Sequence, residues 1–370
     1  MAKRKKPLLK RRKSAPPKTS TTPSARPAPG TDLSEALFEA EVLGGLAPFA
    51  EAELRALRGV EIVRAEAEAV TFRYGGPLAA LRGLKTVVAV YALKRFEIPR
   101  PKALLGQQHW QKVLGLLRAA ASQDDFKGFR FSAAGSDSPV FLRLAGAIRD
   151  ATGLRFDAEE GELLLRVRPY AEGWEVLARL TARPLSARAW RVCNMAGGLN
   201  ATLAVAMHRL AGVRAHDRVF NPFCGSGTLA IERAALAPAA HLVASDLDPE
   251  ALACSDANIR ASGFAAAITT ARADATALSE AGSSFDVIVA DLPWGDAVGS
   301  HDANARLYPE TLRELARVAA PGARCVLLTH DIKLFERSLA RAGLPWRQKR
   351  VVRVFHGGHY PRMYLLERLP

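Results

Sequence analysis

Asp291-Leu292-Pro293-Trp294 is the stretch of this chain whose residue types best suit chemistry on a ring-bound amine. Such an amine is a poor nucleophile because its lone pair is delocalised into the ring. Two acceptors that hold its hydrogens bias the nitrogen toward a tetrahedral shape. The Asp291 carboxylate and a main-chain carbonyl near Leu292 and Pro293 would supply them. Pro293 lacks an N–H and stiffens the turn, and Trp294 offers a face for a flipped-out base. Asp291, Leu292, Pro293 and Trp294 are therefore the candidate catalytic residues. The competing reading of these four letters is a turn that ends in a core tryptophan.

A second loop, Asn221-Pro222-Phe223-Cys224-Gly225-Ser226-Gly227-Thr228, follows the apolar Arg218-Val219-Phe220 and precedes a helical pattern. Glycines at the start of a helix let a ligand approach backbone N–H groups closely. Asp246 lies nineteen residues beyond Gly227, where a carboxylate can accept from both hydroxyls of a ribose, and Asp274 after the third strand could receive an adenine amino group. The candidate cofactor set is Asn221, Phe223, Gly225, Gly227, Thr228, Asp246, Leu247, Asp274, Ala275 and Asp291. Gly225-Ser226-Gly227-Thr228-Leu229-Ala230 also satisfies the dinucleotide fingerprint. Two features favour a methyl donor over a dinucleotide: Asn221-Pro222-Phe223 stands before the glycines, and Asp291 to Trp294 ends the fourth strand.

Both loops sit in a region of alternating helices and apolar strands that starts after Met195. The patterning predicts helices over Ala201 to Ala211, Thr228 to Ala237, Pro249 to Ala261, Ala305 to Ala319 and Leu334 to Ala342. Between them it predicts strands over Arg218 to Phe220, His241 to Ser245, Ala267 to Ala271, Asp286 to Ala290 and Cys325 to Thr329. Such alternation makes a doubly wound, mostly parallel α/β sheet, with sites at the carboxyl ends of its strands. Arg347 to Phe355 and Arg362 to Arg368, joined through Gly357-Gly358, should form an antiparallel hairpin. The preceding region mixes short strands and helices: a helix over Ala47 to Leu57, strands over Glu61 to Val63, Ala69 to Tyr74 and Thr86 to Leu93, then Gly128 to Ser132, a helix over Val140 to Thr152, and strands over Glu162 to Tyr170 and Gly173 to Leu180. This α+β platform carries no cluster that reads as catalytic. The division is 1–33 a basic tail, 34–185 the α+β module, and 186–370 the domain with both loops.

The net charge of +15 is concentrated at one end, since residues 1 to 31 hold ten Lys and Arg and no acid. Removing those ten leaves 42 bases against 37 acids, so the rest is only weakly basic. The Lys, Arg, Pro, Ser and Thr composition of the tail predicts disorder. It would hold a nucleic-acid backbone by counterion release, or serve only as a solubilising tail. The tail is too charged for a secretion signal, and no apolar run approaches the roughly 18 residues of a spanning helix. Cys193, Cys224, Cys254 and Cys325 show no paired spacing, so neither a zinc site nor a disulfide is expected, no metal is expected, and a reducing cytoplasm fits.

At the two loops the sequence resembles the class I amino-methyltransferases, and over residues 36 to 370 it resembles the THUMP-containing RNA guanine-N2 methyltransferases. Arg183-Pro184-Leu185-Ser186-Ala187-Arg188-Ala189-Trp190-Arg191 is similar to that family's junction between RNA-binding and catalytic domains. Leu199-Asn200-Ala201-Thr202-Leu203 matches its cofactor-flanking helix, which adds Asn200 and Thr202 to the cofactor set. Val354-Phe355-His356-Gly357-Gly358 with Tyr364-Leu365-Leu366 is like its terminal hairpin. The chain departs from the pattern in having Asn221 where the family usually has Asp, and Trp294 where it usually has Phe or Tyr. The resemblance implies S-adenosyl-L-methionine as cofactor, a THUMP or ferredoxin-like RNA-binding module, and N2 methylation of a guanosine in structured RNA, tRNA first. The alternatives are ribosomal RNA, adenine N6 of DNA, or a non-catalytic RNA-binding protein that retains the fold.

Overall fold

The computed structural model describes residues 36–171, 173–294, 301–341 and 343–370, without the side chains of 301 and 302. The basic tail read over residues 1–33 lies outside them.

The first sheet is built from β1 (Leu37–Glu41), β2 (Val60–Ala65), β3 (Ala69–Tyr74), β4 (Ala89–Phe96), β5 (Gly128–Ser132), β6 (Arg155–Phe156), β7 (Leu163–Tyr170) and β8 (Gly173–Arg179), in the order β2-β3-β1-β4-β8-β7-β5-β6. Helices α1 (Ala47–Arg55), α2 (Gln107–Ala121) and α3 (Pro139–Thr152) pack on its apolar face through Leu54, Leu117 and Phe141, which share a core with Phe38, Val90 and Phe129. The patterning did not predict β1 or α2. In β1 the residues Glu39 and Glu41 alternate with Phe38 and Ala40, so two of the five residues of this central strand are acidic. The acids are tolerated because Arg168 pairs with Glu39 and Arg166 donates to Glu41 at 2.8 Å. Helix α2 has no side-chain cap at Gly106, the usual sequence marker of a start.

The second sheet carries both loops. After α4 (Ala201–Ala211) come β9 (Arg218–Asn221), α5 (Thr228–Leu236), β10 (His241–Asp246), α6 (Pro249–Ser262), β11 (Thr269–Arg272), β12 (Phe285–Asp291), α7 (His301–Val318), β13 (Ala319–Thr329), α8 (Ile332–Leu339), β14 (Trp346–Arg353) and β15 (Arg362–Arg368). The order β11-β10-β9-β12-β13-β15-β14 is parallel from β11 to β13 and antiparallel at β15 and β14. Val219, Ile288, Val289, Val326 and Leu327 are fully buried, as strands covered on both faces require. One cluster forms around Leu203, Met207 and Leu229 and another around Tyr308, Leu312 and Phe335.

The two sheets are fastened directly. Leu46 and Phe49 of the first region sit in the core cluster of Leu203 and Met207. The Phe355 N–H donates to the Gly44 carbonyl at 2.8 Å, and a Cβ at Gly45 would lie 2.1 Å from the Arg353 carbonyl oxygen. Arg209 reaches Glu53 at 2.8 Å, and Arg188 joins Glu232 at 2.7 Å.

The expectation of four unpaired cysteines is corrected: Cys193 and Cys254 form a disulfide across 61 residues of chain, while Cys224 and Cys325 are free and buried. The pairing depends on the packing of the segment after residue 190 against α6, which spacing along the chain does not encode. Among the described residues no helix is long and apolar enough to cross a membrane, and no group of three or more His, Cys, Asp or Glu could hold a metal ion.

Candidate active site

Asn221, Asp246 and Asp291 end β9, β10 and β12, which are neighbours in the order β10-β9-β12. Two strand spacings, about 10 Å, therefore separate the Asp246 and Asp291 positions. The chain turns sharply after β9: Phe223 has φ 56°, Gly225 φ 51° and Gly227 φ 80°. A left-handed Phe is uncommon and stores strain of about 1 kcal/mol or more. The Gly225 N–H donates to Asp246 Oδ2 at 2.9 Å, and the Asp248 N–H to Asp246 Oδ1 at 3.1 Å, which orients the carboxylate at the strand end. Leu247, the next residue, is 55% exposed, unusual for leucine.

Asn221 is buried, and its amide donates to the Val289 carbonyl at 2.9 Å and the Pro222 carbonyl at 3.0 Å. An aspartate there would direct a carboxylate at two carbonyl oxygens, which gives the departure from the family pattern a physical reason. The Asn221 Oδ1 is buried with no partner among the described residues. Asp274 Oδ1 accepts from the Thr276 N–H and hydroxyl at 2.9 and 2.7 Å, and these bonds hold its pKa below the usual carboxylate value. Ala275 beside it is buried.

Three members of the predicted cofactor set are turned into structure. Asn200 caps α4 by accepting from the Thr202 N–H at 2.9 Å, and the fully buried Thr202 donates its hydroxyl to the same oxygen. Thr228 is buried and accepts from Arg191 at 2.9 Å. Asn258 of α6, not foreseen from sequence, uses its whole amide: it accepts from the Val192 and Cys193 N–H groups and donates to the Cys193 and Ser226 carbonyls, at 2.9 to 3.0 Å. It thereby fastens the disulfide segment to the glycine loop.

At the second loop the Leu292 N–H donates to the Leu328 carbonyl at 2.9 Å, and Leu292 is buried. The Pro293 carbonyl accepts from Asn304 at 2.9 Å and from the Tyr308 hydroxyl at 2.7 Å. Asn304 and Tyr308 stand four apart on one face of α7, the one sequence signal that could have found them. With Pro293 engaged, the Leu292 carbonyl, which has no donor among the described residues, is the main-chain acceptor beside Asp291. Burial pushes the Asp291 carboxyl up to about 7, against the lowering effect of a 3.1 Å hydrogen bond from the Trp294 indole.

Trp294 packs among His330, His356 and His359, with ring centroids at 5.6, 5.8 and 6.3 Å, and the last two rings stand nearly perpendicular to the indole. Burial lowers the pKa of His356. His330 and His359 were not foreseen: they come from the end of β13 and from the hairpin turn, far apart in the chain.

The parallel strand order, the glycine turn and the acid-ended strands define a class I methyltransferase. The RMKL-like methyltransferase domain matches residues 188–362. The chain is 36% identical, over 62% of its own length and 68% of the relative's, to a tRNA (guanine(6)-N2)-methyltransferase of Thermus thermophilus. It is also 36% identical to the Bos taurus tRNA (guanine(6)-N(2))-methyltransferase THUMP3, over 46% of this chain and 36% of that one. Among solved structures, TrmN from Thermus thermophilus matches with TM-score 0.74 and 28% identity, over 90% of this chain and all of that one. SMU.472, solved with SAH, shares the fold at TM-score 0.68 and 15% identity, over 89% and 97%. The chain belongs to the RNA guanine-N2 methyltransferase family, and its cofactor is S-adenosyl-L-methionine. The residues present suit that molecule: the unpartnered Asn221 Oδ1 is an acceptor for an ammonium, and a Cβ at Gly225 would meet nothing within 4 Å, so the backbone there is open to a ligand.

Proposed function

We propose that this chain methylates the exocyclic N2 amine of a guanosine in structured RNA, tRNA first, in the cytoplasm. The observation that carries the reading is the pairing of two loops on adjacent strands: Asp291, with a main-chain carbonyl beside it that has no donor among the described residues, next to the turn opened by Asn221. The relatives named for tRNA guanine-N2 methylation support the choice of base and substrate.

In this reading Asn221, Phe223, Gly225 and Gly227 border the methionine end of the cofactor, Asp246 receives the ribose, and Leu247, Asp274 and Ala275 flank the adenine. When bound, the cofactor supplies a methyl group on a sulfonium centre. Asp291 Oδ2 accepts one hydrogen of the target amine and the Leu292 carbonyl the other, which turns the nitrogen lone pair out of the ring plane. An amine held in this way would present its lone pair to that methyl group, and Asp291 would take the proton the nitrogen sheds on methylation. A carboxyl that titrates near 7 can both accept that proton and release it. Because positive charge disperses in the transition state, alignment and these acceptors supply most of the acceleration. Residues 34–185 act as the RNA-binding module, and the Trp294 face receives the extruded base.

The test is incubation with labelled cofactor and, separately, total tRNA, ribosomal RNA and duplex DNA, followed by mass spectrometry of nucleosides. N2-methylguanosine in tRNA is expected. Label confined to DNA, or to another nucleoside, would overturn the reading.

A further inference from the structure

The edge of the second sheet is strongly basic. Strand β14 is its last strand, and Arg347, Lys349, Arg350 and Arg353 occupy four of its eight positions, all exposed. The only carboxylate among the described residues that pairs with them is Glu367, which binds both Arg347 and Lys349, at 2.9 and 3.0 Å. No carboxylate of the described residues pairs with Arg350 or Arg353. Upstream of the strand, Arg313, Arg341 and Arg368 line a cleft of about 400 Å³ together with Pro345, and Arg317 beside them is engaged by Glu314. Downstream, the Arg353 guanidinium lies 4.1 Å over the ring of Tyr360, an aromatic that is 51% exposed. The same hairpin turn places His356 and His359 against Trp294.

Charged edge strands also occur as protection against edge-to-edge association. That role needs charge alone. It does not call for an exposed aromatic under an arginine, nor for continuity with the target loop. The eight residues of β14 extend about 26 Å, and the row runs from an arginine-lined cleft to the wall of the target-base site.

We propose that β14, together with the cleft before it and Tyr360 after it, is the surface along which the phosphodiester backbone of the RNA substrate lies as its target base enters beside Trp294. The inference rests on the RNA-methylation reading above. Guanidinium and ammonium groups in a row neutralise successive phosphates, and an aromatic at the end of the row is a stacking platform for an unpaired base.

The test measures the Kd of the full chain for an unmodified tRNA transcript across a salt series, for wild type, Arg350→Gln, and Lys349→Gln/Arg350→Gln. Cofactor affinity and Tm report integrity of the fold. Removing one phosphate-binding cation should lower the slope of log K against log salt by about 0.7 to 0.9. The double variant should therefore fall by about 1.5 in slope and bind about tenfold more weakly at low salt, with cofactor affinity unchanged. If the double variant is lower in Tm, the single substitution decides, and an unchanged slope there overturns the proposal. A wild type that binds the transcript, with variants that bind as tightly and with the same slope, overturns this surface alone, and increased self-association in those variants would assign the charges to edge protection. A wild type that binds no structured RNA overturns the methylation reading and this inference with it.

Discussion

The indole Nε1 of Trp294 donates to Asp291 Oδ1 at 3.1 Å, three residues back along the same loop. The residue that the sequence marks as a stacking face is thus also a support for the carboxylate it follows. Burial alone would push the Asp291 carboxyl higher, and this bond brings it down toward its ionised form, leaving it near 7. A phenylalanine at this position could not donate this bond.

Replacing Trp294 with Phe keeps a ring for the base and deletes the donor. Asp291 should then titrate higher, by about one pH unit, and the acid limb of kcat/KM should move to higher pH by that amount. Activity at neutral pH falls and is partly recovered in mildly alkaline buffer. A limb that stays where wild type has it would refute the role given to the indole.

Asp291→Asn should abolish transfer while cofactor binding, read by calorimetry, persists. Its effect on stability has a definite sign. The folded carboxyl titrates near 7, above the roughly 3.9 of an unfolded aspartate. The stability contributed by the neutral carboxyl is therefore complete below about pH 4 and is lost as pH rises through 7. The amide variant does not titrate, so it should gain on wild type between those limits, by on the order of 2 kcal/mol after allowance for the partial exposure of Asp291. Denaturant unfolding in acid and in mildly alkaline buffer checks this, and a difference independent of pH would contradict it.

The two loop glycines should fail differently. A Cβ at Gly227 would lie 2.6 Å from the Ser255 hydroxyl, whereas at Gly225 it would meet nothing within 4 Å. Both positions have positive φ, which costs an alanine about 1 to 2 kcal/mol. Gly227→Ala should therefore lower Tm more than Gly225→Ala. Gly225→Ala should lose cofactor affinity, tenfold or more, with the smaller change in Tm. Thermal melts and calorimetry separate the two, and equal losses in both would count against a ligand-facing Gly225.

The Cys193–Cys254 disulfide closes a loop of 61 residues. Chain entropy assigns such a loop up to about 4 kcal/mol. Cys254→Ser should be less stable than the oxidised wild type by no more than that, and the two should converge once wild type is treated with a reductant. Asn258 continues to fasten the same segment through four hydrogen bonds, so the cofactor loop should remain formed in the serine variant. A wild type whose unfolding ignores reductant would contradict the pairing.

Much of the second sheet was legible because its signals are local. Apolar runs such as Val287 to Ala290 need both faces covered, and glycines at Gly225 and Gly227 before a helix need no partner to be recognised. Strand β1 was illegible for the opposite reason. Glu39 and Glu41 belong in a central strand only because arginines 125 or more residues away reach them.

By itself the sequence determined that a cofactor turn and an acid-ended target loop lie at the carboxyl edge of a parallel sheet, since strand alternation and turn chemistry are written in neighbouring residues. Only the tertiary structure decided which groups are still available there. It removed the Pro293 carbonyl by giving it two donors, turned Thr202 and Thr228 inward, joined Cys193 to Cys254, and set Trp294 among three histidines. All of these except the Thr202 bond to Asn200 are contacts between segments distant in sequence. Hydrogen-bonding capacity and pKa follow from the groups that packing brings together, and the order of residues along the chain does not encode that proximity.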